Sequence, residues 1–526
     1  MKLNNKIFIA LVAIVALASC KKSFLDKTPV DAIAQEDFYK TPDDAFKALV
    51  ASYNVLDLTG YGNIVLSSEI TSDDCFGGGG LADNGPRQWD KFQDYTNLNS
   101  DAWKKYYQGI YRANTLLAQM DNVDFGTTPA LKSQYLGETY FLRAYYYFDL
   151  VRMFGNVPLL TKPIEGSNYY IPQASSDSVY RLIASDLKQA ISLLTPSAVA
   201  YSSIKSTDYG RATKWAAEAL MARVYLYYTG YYSKPDLMGV FTKQDATAAV
   251  EDVIQNSGYG LVDKFANLWR PASQANFAGQ NNKEGVFVIQ YTDQGKGDWN
   301  KQNGNRFQVM VGLRNQALGN YYKGWGIATV NSALYNAYDA TDTRKASSII
   351  SIDDEHLTYT VGDQYQYTGY FWKKYAPVND ASRPDANGGD FQIDNYDNYV
   401  AIRFADVLLM GSELNLTTNL AKAQGYYDQI RDRAYGDALH RKTLTGDAAG
   451  LSLVMNERRL ELALEGQRYW DLLRQGLDAT KQAIDNTTGG TDFNVSFRKE
   501  TKGLFAIPEA QIGLSNGTLT QNAGWN

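Results

Sequence analysis

Apolar residues recur at helical spacing in two separated blocks of this chain. In the first block, Phe141, Ala144, Tyr145 and Phe148 follow the i, i+3, i+4, i+7 pattern of a buried stripe. They predict a helix over about 131–153, stopped by Gly155 and Pro158. Trp103, Tyr106, Tyr107, Ile110 and Tyr111 predict its predecessor over about 102–120. Residues 178–194 read the same way, and Ala216, Leu220, Val224 and Tyr227 mark a further helix near 211–229, whose alanines allow close helix approach. The second block predicts helices near 401–414, 421–434 and 451–474.

Between residues 231 and 400 the periodicity breaks. Glycine, asparagine, aspartate and aromatics dominate there, with short strand-like runs such as 286–291. Long irregular stretches in a compact chain are usually functional or disordered, and the aromatic richness argues against disorder. The predicted fold is therefore mainly α. It is a tetratricopeptide-like scaffold of helix pairs (20–230 and 401–526) carrying a loop-rich, partly β insertion (231–400) as its working surface. The Trp-Leu-Gly-Tyr signature of tetratricopeptide repeats is not visible, so the helix pairs rest on periodicity alone.

The N-terminus reads as an export leader. Lys2 and Lys6 precede an apolar run of 11 residues, Ile7 to Leu17, too short to span a bilayer. Leu17-Ala18-Ser19-Cys20 then places small residues and a cysteine at the cleavage point, so residues 1–19 are read as a lipoprotein signal peptide and Cys20 as the lipidated residue. Several acyl chains would anchor the protein firmly. Lys21, rather than aspartate, follows the anchor and favours the outer membrane.

Composition narrows the function classes. Removing Lys2 and Lys6 from the 51 basic residues leaves 49 against 57 acidic ones, a net charge near -8, which argues against nucleic acid as a partner. Cys75 is the one other cysteine, so no disulfide is available once Cys20 is lipidated. His356 and His440 are the only histidines, which excludes a histidine-rich metal site.

The chain has 39 tyrosines, 21 phenylalanines and nine tryptophans. Most must pack the core, but rings also make flat platforms for ligands with one apolar face, such as sugars. The insertion offers Trp269, Trp299, Trp325 and Trp372. Tyr321-Tyr322-Lys323-Gly324-Trp325-Gly326 alternates rings and glycines in a loop, and Asp298-Trp299-Asn300 with Asn303 sets a ring beside groups that hydrogen-bond hydroxyls. Trp89 follows Pro86-Arg87-Gln88 in a polar stretch, where an exposed ring would be unfavourable without a purpose. The candidate ligand-binding residues are thus Trp89, Trp299, Asn303, Tyr322, Trp325 and Trp372.

Three other motifs receive bland readings. Glu457, Glu461 and Glu465 share a helical face but have Arg458, Arg459 and Arg468 at hand, so a charge network is favoured over a catalytic carboxylate pair. Asp73 and Asp74 before Gly77-Gly78-Gly79-Gly80 suggest an acidic turn beside a mobile loop. Asp385, Asn387, Asp390, Asp394 and Asp397 are oxygen-rich enough for calcium, but the spacing does not fit an EF-hand; no other cofactor is indicated.

Several segments, in order, carry a family likeness. They are Phe24-Leu25-Asp26, Glu69 with Ser72-Asp73-Asp74, Arg143 to Phe148 followed by Phe154-Gly155-Asn156-Val157-Pro158-Leu159, and Trp215 to Tyr227. Ile402-Arg403-Phe404-Ala405-Asp406 through Glu413 follows, then Glu457-Arg458-Arg459 through Glu465-Gly466-Gln467-Arg468-Tyr469-Trp470-Asp471-Leu472, Ile507-Pro508 and Gln521-Asn522-Ala523-Gly524-Trp525. Phe404 stands where tyrosine is usual, and Ala523 where proline is common. The chain resembles the SusD/RagB family of outer-membrane nutrient-binding lipoproteins. The resemblance implies a non-enzymatic protein on the cell exterior, acting as a hinged lid on a SusC-type TonB-dependent transporter and holding an oligosaccharide at its mouth. It also implies that the segment before the Trp103 helix contributes to the ligand face. A peptide ligand as in the RagB branch, an anchored glycoside hydrolase and a purely structural adaptor stay open as alternatives.

Overall fold

The computed structural model describes residues 38–57, 63–93, 97–164, 166, 169–301 and 303–525, so the Cys20 anchor lies outside the described residues. Six helices make the N-terminal part of a stack: α1 (Pro42–Tyr53), α2 (Ser100–Gln119), α3 (Pro129–Phe154), α4 (Ser176–Leu194), α5 (Lys214–Tyr231) and α6 (Lys243–Asn256). Each of α2 to α6 packs on the next. The chain then leaves the stack and returns with α7 (Phe404–Asn415), which packs directly on α6 and on α8 (Leu420–Tyr435) and α9 (Ala448–Glu461). The helical stack is therefore continuous in space although it is interrupted in sequence, as expected of a tetratricopeptide-like scaffold.

Local chemistry sets the helix ends. Thr41 and Asp44 form a capping box with Pro42 at the first turn of α1, and Thr242 with Asp245 does the same for α6. Gly155, at φ 68°, ends α3 where the sequence predicts a stop. Helix α3 is the centre of the core: from Gly137 to Phe154 every residue but Tyr140 is buried. Its buried charges are paired, Arg143 with Asp186 and Arg152 with Asp149, which lets every face of this segment sit inside. Its tyrosines keep their hydroxyls satisfied, Tyr146 donating to the Ser52 carbonyl at 2.6 Å and Tyr147 to that of Leu160 at 2.9 Å.

Two expectations change. Helix α6 lies within the region read as irregular; its short, alanine-rich face (Ala246, Ala249, Val250, Val253) is buried against α7. The single helix expected over 451–474 is two: α9 and α10 (Arg468–Leu473), separated by Leu464 at φ 64° and Gly466 at φ 78°. A Cβ on Gly466 would come within 3.0 Å of the Val65 backbone, so this break is required by close packing.

Beyond α6, two antiparallel pairs are made by β1 (Gly285–Ile289), β2 (Ile349–Ser351), β3 (Tyr370–Trp372) and β4 (Tyr399–Arg403), and a parallel pair of two-residue strands joins Leu313–Arg314 to Lys323–Gly324. Strands β1 and β4 pair antiparallel with Gly285 opposite Arg403, bringing the ends of this excursion together just before α7; β2 pairs with β3.

A buried charge cluster joins this region to the second helical block. Arg344, Lys374, Arg403, Arg431 and Arg433 face Asp342, Glu284, Glu457, Glu461 and Glu465, with every side chain at most 4% exposed. Arg403 bonds Glu284, Glu461 and Glu465 at 2.7 Å each, and Arg344 reaches Glu457 at 2.7 Å and Glu461 at 3.1 Å. The three glutamates form a charge network, as expected, but not with the expected arginines. Arg458 turns to the opposite side of α9 and bonds Asp406 and Asp471, while Arg459 and Arg468 bond Asp73 and Asp74. The Asp73-Asp74 turn is accordingly buried. The glycines after it are also packed: a Cβ on Gly77 would lie 2.7 Å from the Arg87 backbone, and Gly78 (φ 62°) abuts the Gly326 carbonyl. That run is a close-approach site, which corrects its reading as a mobile loop.

Removing one member of such a cluster leaves partners buried and uncompensated. Arg403→Ala is expected to destabilise the protein by roughly 3–5 kcal/mol, measured as a lower denaturant midpoint, whereas Lys422→Ala, in the surface pair with Glu251, barely moves it. Burial opposes ionisation of Glu461 and Asp406, yet arginines 433, 403 and 344 around the first, and 458 and 223 around the second, hold both well below the usual carboxylate range. Their stabilisation is fully present above about pH 4.5, the ordinary glutamate value, and is lost as pH falls toward the depressed values. The midpoint should therefore fall steadily below that pH, and Glu461→Gln, which removes one titrating group, should flatten the slope.

Candidate functional site

A cleft of about 670 Å³ opens between the helical scaffold and the loop that follows β1. On the scaffold side, α2 presents Asp101, Lys104, Lys105, Gln108 and Arg112, and the C-terminal end of α1 adds Asn54 and Asp57. On the other side stand Asn300, Lys301, Asn303 and Arg306. A second, more apolar cavity of about 320 Å³ shares Asn54, Asp57 and Asn303 with the first and is lined by Phe46, Val50, Leu56, Tyr209, Val288 and Ile289. Asn303 stands where the two meet.

The positions follow from the helix period. Residues 101, 104, 105, 108 and 112 form the polar stripe of α2, while Trp103, Tyr106 and Ile110 on the other face are buried. The opposite wall is held by a turn network. The Thr292 N–H donates to the Asn303 carbonyl at 2.8 Å, the Asn305 side chain donates to the Asp397 carbonyl at 2.6 Å, and Asp394 accepts from the Gly297 N–H at 2.6 Å.

Trp299 is half exposed beside this wall, at 51%. The Arg306 guanidinium lies 5.5 Å from its ring centre and donates to its carbonyl at 3.3 Å. Two polar atoms just beneath the cleft wall, Asn303 Oδ1 and Arg306 Nε, have no hydrogen-bond partner among the described residues. An unmet buried polar atom costs on the order of 1–3 kcal/mol, so a small rotation that turned this acceptor and donor toward a hydroxylated ligand would be favoured. Electrostatics at the scaffold wall are also unusual. Burial pushes the Asp57 carboxyl up to about 7 against the pull of Lys105, and burial lowers Lys105 to about 8 against Asp57 and Asp149.

The six candidate residues do not assemble into one platform. Trp299 and Asn303 share a loop; Asn303 lines the cleft, and Trp299 lines neither cavity but stands next to the wall against Arg306. Tyr322 and Trp325 are half-buried and line neither cavity. The Tyr322 hydroxyl bonds Asp385 and its ring meets the edge of Phe391 at 6.0 Å, while Trp325 packs on the core, its backbone N–H donating to the Val309 carbonyl at 2.7 Å. Trp89 and Trp372 have no solvent face, which corrects their assignment. Trp89 is 3% exposed, with its indole donating to Asn99 at 3.1 Å. Trp372 is fully buried on β3, donating to the Ala328 carbonyl at 2.7 Å with its ring edge-on to Phe307. Both indole N–H groups found partners inside, which is what lets tryptophan serve as core.

The 385–397 carboxylates are dispersed as well. Asp385 bonds Tyr322, Asp390 accepts from the Gln392 N–H, Asp394 accepts from backbone N–H groups, and Asp397 bonds Gln280 and Gln308. Among the described residues no three metal-ligating side chains converge.

Sequence reasoning missed Lys104, Arg112 and Arg306. The signal was present in the 101/104/105/108/112 stripe, but the aromatic stripe of the same helix drew the attention. Trp372→Ala is expected to cost about 3–5 kcal/mol of stability, read by denaturation, whereas Trp299→Ala should leave the denaturation curve near that of the parent because half of its ring is already in water.

Residues 24–226 match the family profile described as starch-binding and associating with the outer membrane, and residues 353–525 match that of the SusD family. SusD-like protein P2 of Formosa agariphila is 27% identical, covering 98% of both chains. A laminarin-binding SusD-like protein of known structure superposes with a TM-score of 0.77 at 28% identity, covering 92% of this chain and 100% of that one. Surface glycan-binding protein A of Bacteroides fluxus gives the same TM-score and coverages at 25% identity. No helix among the described residues is long and apolar enough to cross a membrane. With matched segments from both helical blocks and relatives aligned over nearly the whole length, this chain belongs to the SusD/RagB family of outer-membrane-associated proteins.

Proposed function

We propose that this protein is a cell-surface glycan-binding lipoprotein, tethered through Cys20, that captures oligosaccharides in the cleft between α2 and the 292–306 loop and passes them to a SusC-type TonB-dependent transporter. The observation that carries the reading is the wall at Asn303 and Arg306, with Trp299 packed beside it against Arg306. A half-exposed indole stands beside an unmet acceptor and an unmet donor, bordering a cleft whose lining side chains are almost all polar. Sugars need that pairing, a flat ring for the C–H face and polar groups around it for the hydroxyls. The likeness to a laminarin-binding relative supports the same ligand class. Lid-like delivery rests on family membership and on the lipid tether.

Binding without catalysis is the favoured chemistry. The Glu457, Glu461 and Glu465 series is sealed in ion pairs, away from any ligand. Asp57 and Asp101 do line the cleft, so the decisive experiment also reads product formation. Titration calorimetry of residues 21–526 against neutral and charged oligosaccharides and a peptide pool should give saccharide binding with no release of reducing ends. Trp299→Ala should weaken that binding by up to about tenfold, ~1.4 kcal/mol, and Asn303→Ala should weaken it too. Unchanged affinity in both variants, or binding of peptides alone, removes the cleft or the ligand class from the proposal. New reducing ends would replace it with hydrolysis.

A further inference from the structure

The cleft carries the opposite charge to the protein around it. The chain as a whole has 57 acidic and 51 basic side chains. The cleft is lined by Lys104, Lys105, Arg112, Lys301 and Arg306 but by only two carboxylates, Asp57 and Asp101. Most buried arginines elsewhere in the molecule reach a carboxylate within 3 Å; these cations do not.

The hydrogen bonds that these five make go to carbonyl oxygens, and none of the five has a carboxylate closer than 4.0 Å among the described residues. Arg112 donates to the Ala51 carbonyl, Lys105 to that of Leu56 at 3.2 Å, and Arg306 to that of Trp299 at 3.3 Å. Backbone carbonyls satisfy donors without cancelling a formal charge. Lys301 has Asp298 only at 4.0 Å, and Lys104, exposed on the α2 stripe, has no described hydrogen bond or ion pair. Arg306 adds an unpartnered Nε to a guanidinium whose planar fork matches an oxyanion with two oxygens. Positive charge collected in a cleft with partly desolvated walls raises the local concentration of anions and speeds their capture.

Resting on the reading of this cleft as the glycan site, we infer that its ligand is an anionic oligosaccharide, bearing carboxylate or sulfate groups that Arg306, Lys104 and Lys301 bind while Trp299 stacks on a sugar face. The two walls divide the work: the helix supplies charge, and the loop supplies both charge and a ring. An uncharged glucan would leave the cations unused. An acidic peptide would satisfy them but would give the indole no sugar ring to stack on.

The test is calorimetry on residues 21–526 with four ligands of matched length: an oligouronate, a sulfated oligosaccharide, a neutral β-glucan oligosaccharide and an oligoglutamate peptide, each at about 20 and 300 mM NaCl. At least one of the two anionic saccharides should bind about tenfold or more tighter than the neutral one, and its affinity should fall several-fold at the higher salt, where the Debye length is short. Which of the two binds better identifies carboxylate or sulfate as the group recognised. Arg306→Gln and Lys104→Gln should each weaken anionic binding several-fold and weaken neutral binding far less, whereas Trp299→Ala should weaken both to a similar degree. Lys104 is exposed on the helix surface, so its variant folds even if the Arg306 variant does not. Neutral saccharide bound as tightly as the anionic ones and untouched by Lys104→Gln overturns the charge preference but leaves the glycan site standing. Binding of the peptide alone, or of no saccharide, overturns both.

Discussion

Arg403 sits with no route to water at the junction of β4 and α7, and its guanidinium is satisfied by carboxylates from three parts of the chain: Glu284 before β1, Glu461 at the end of α9, and Glu465 in the turn that follows. A buried arginine costs too much unless every donor is met and a balancing charge is close. That requirement forces the ends of the long excursion between α6 and α7 to converge at one point. The β1–β4 pairing places Gly285 opposite Arg403, which presents Glu284 to it, and the same contact sets where the strands leave the helical stack. Through Asp342, Arg344 and Lys374 the cluster also fixes the segments on either side of β2 and β3. The cleft wall at 292–306 begins three residues after β1, so its position relative to α2 descends from this one cluster.

Helix α9 shows how one short element can serve two such clusters. Glu457 and Glu461, four residues apart, point to the Arg403 side, while Arg458 faces Asp406 and Asp471 on the other. Substituting either face affects a different neighbour: α7 and α10 through Arg458, the excursion through the glutamates. Replacing buried ion pairs by apolar residues of the same volume is often no less stable. The retained charge therefore makes best sense as specification of register, since an aliphatic residue at 403 would accept many neighbours and an arginine there accepts few.

The helical scaffold was readable because its determinants are local. Periodicity located α3, α4 and α8 to within a residue or two at each end, and Gly155 marked the stop of α3. What failed was information held between segments. The break between α9 and α10 depends on Val65 crowding Gly466, a contact across some four hundred positions that no window detects. Trp89 was a candidate because of its polar stretch and Trp372 because of its place in the insertion, yet both are buried, with Asn99 and the Ala328 carbonyl accepting their indole hydrogens. The partners of Glu457, Glu461 and Glu465 were misassigned for the same reason: nearness along the helix suggested Arg458 and Arg459, and the fold supplied Arg344, Arg403 and Arg431. The candidate site was half legible. Trp299 and Asn303 carry their chemistry in one loop, whereas the charge that faces them comes from α2 and becomes a site only when the two walls meet.

The two charged regions of the molecule work in opposite ways. In the cluster around Arg403, five cations meet five carboxylates at the same depth, so nothing is left over to attract an ion from outside, and the outcome is rigidity. In the cleft, Lys105, Arg112 and Arg306 bond to carbonyl oxygens, which leave their formal charge uncancelled. Residue type does not separate the two cases, since arginine and lysine supply both. The separation lies in what each donor finds: a carboxylate closes the account, and a carbonyl orients the side chain while leaving its field free to act on a ligand. The matched family segments include α2 but stop short of the 292–306 loop. The helix therefore belongs to the part of the chain that the family profiles cover, and the loop that faces it does not.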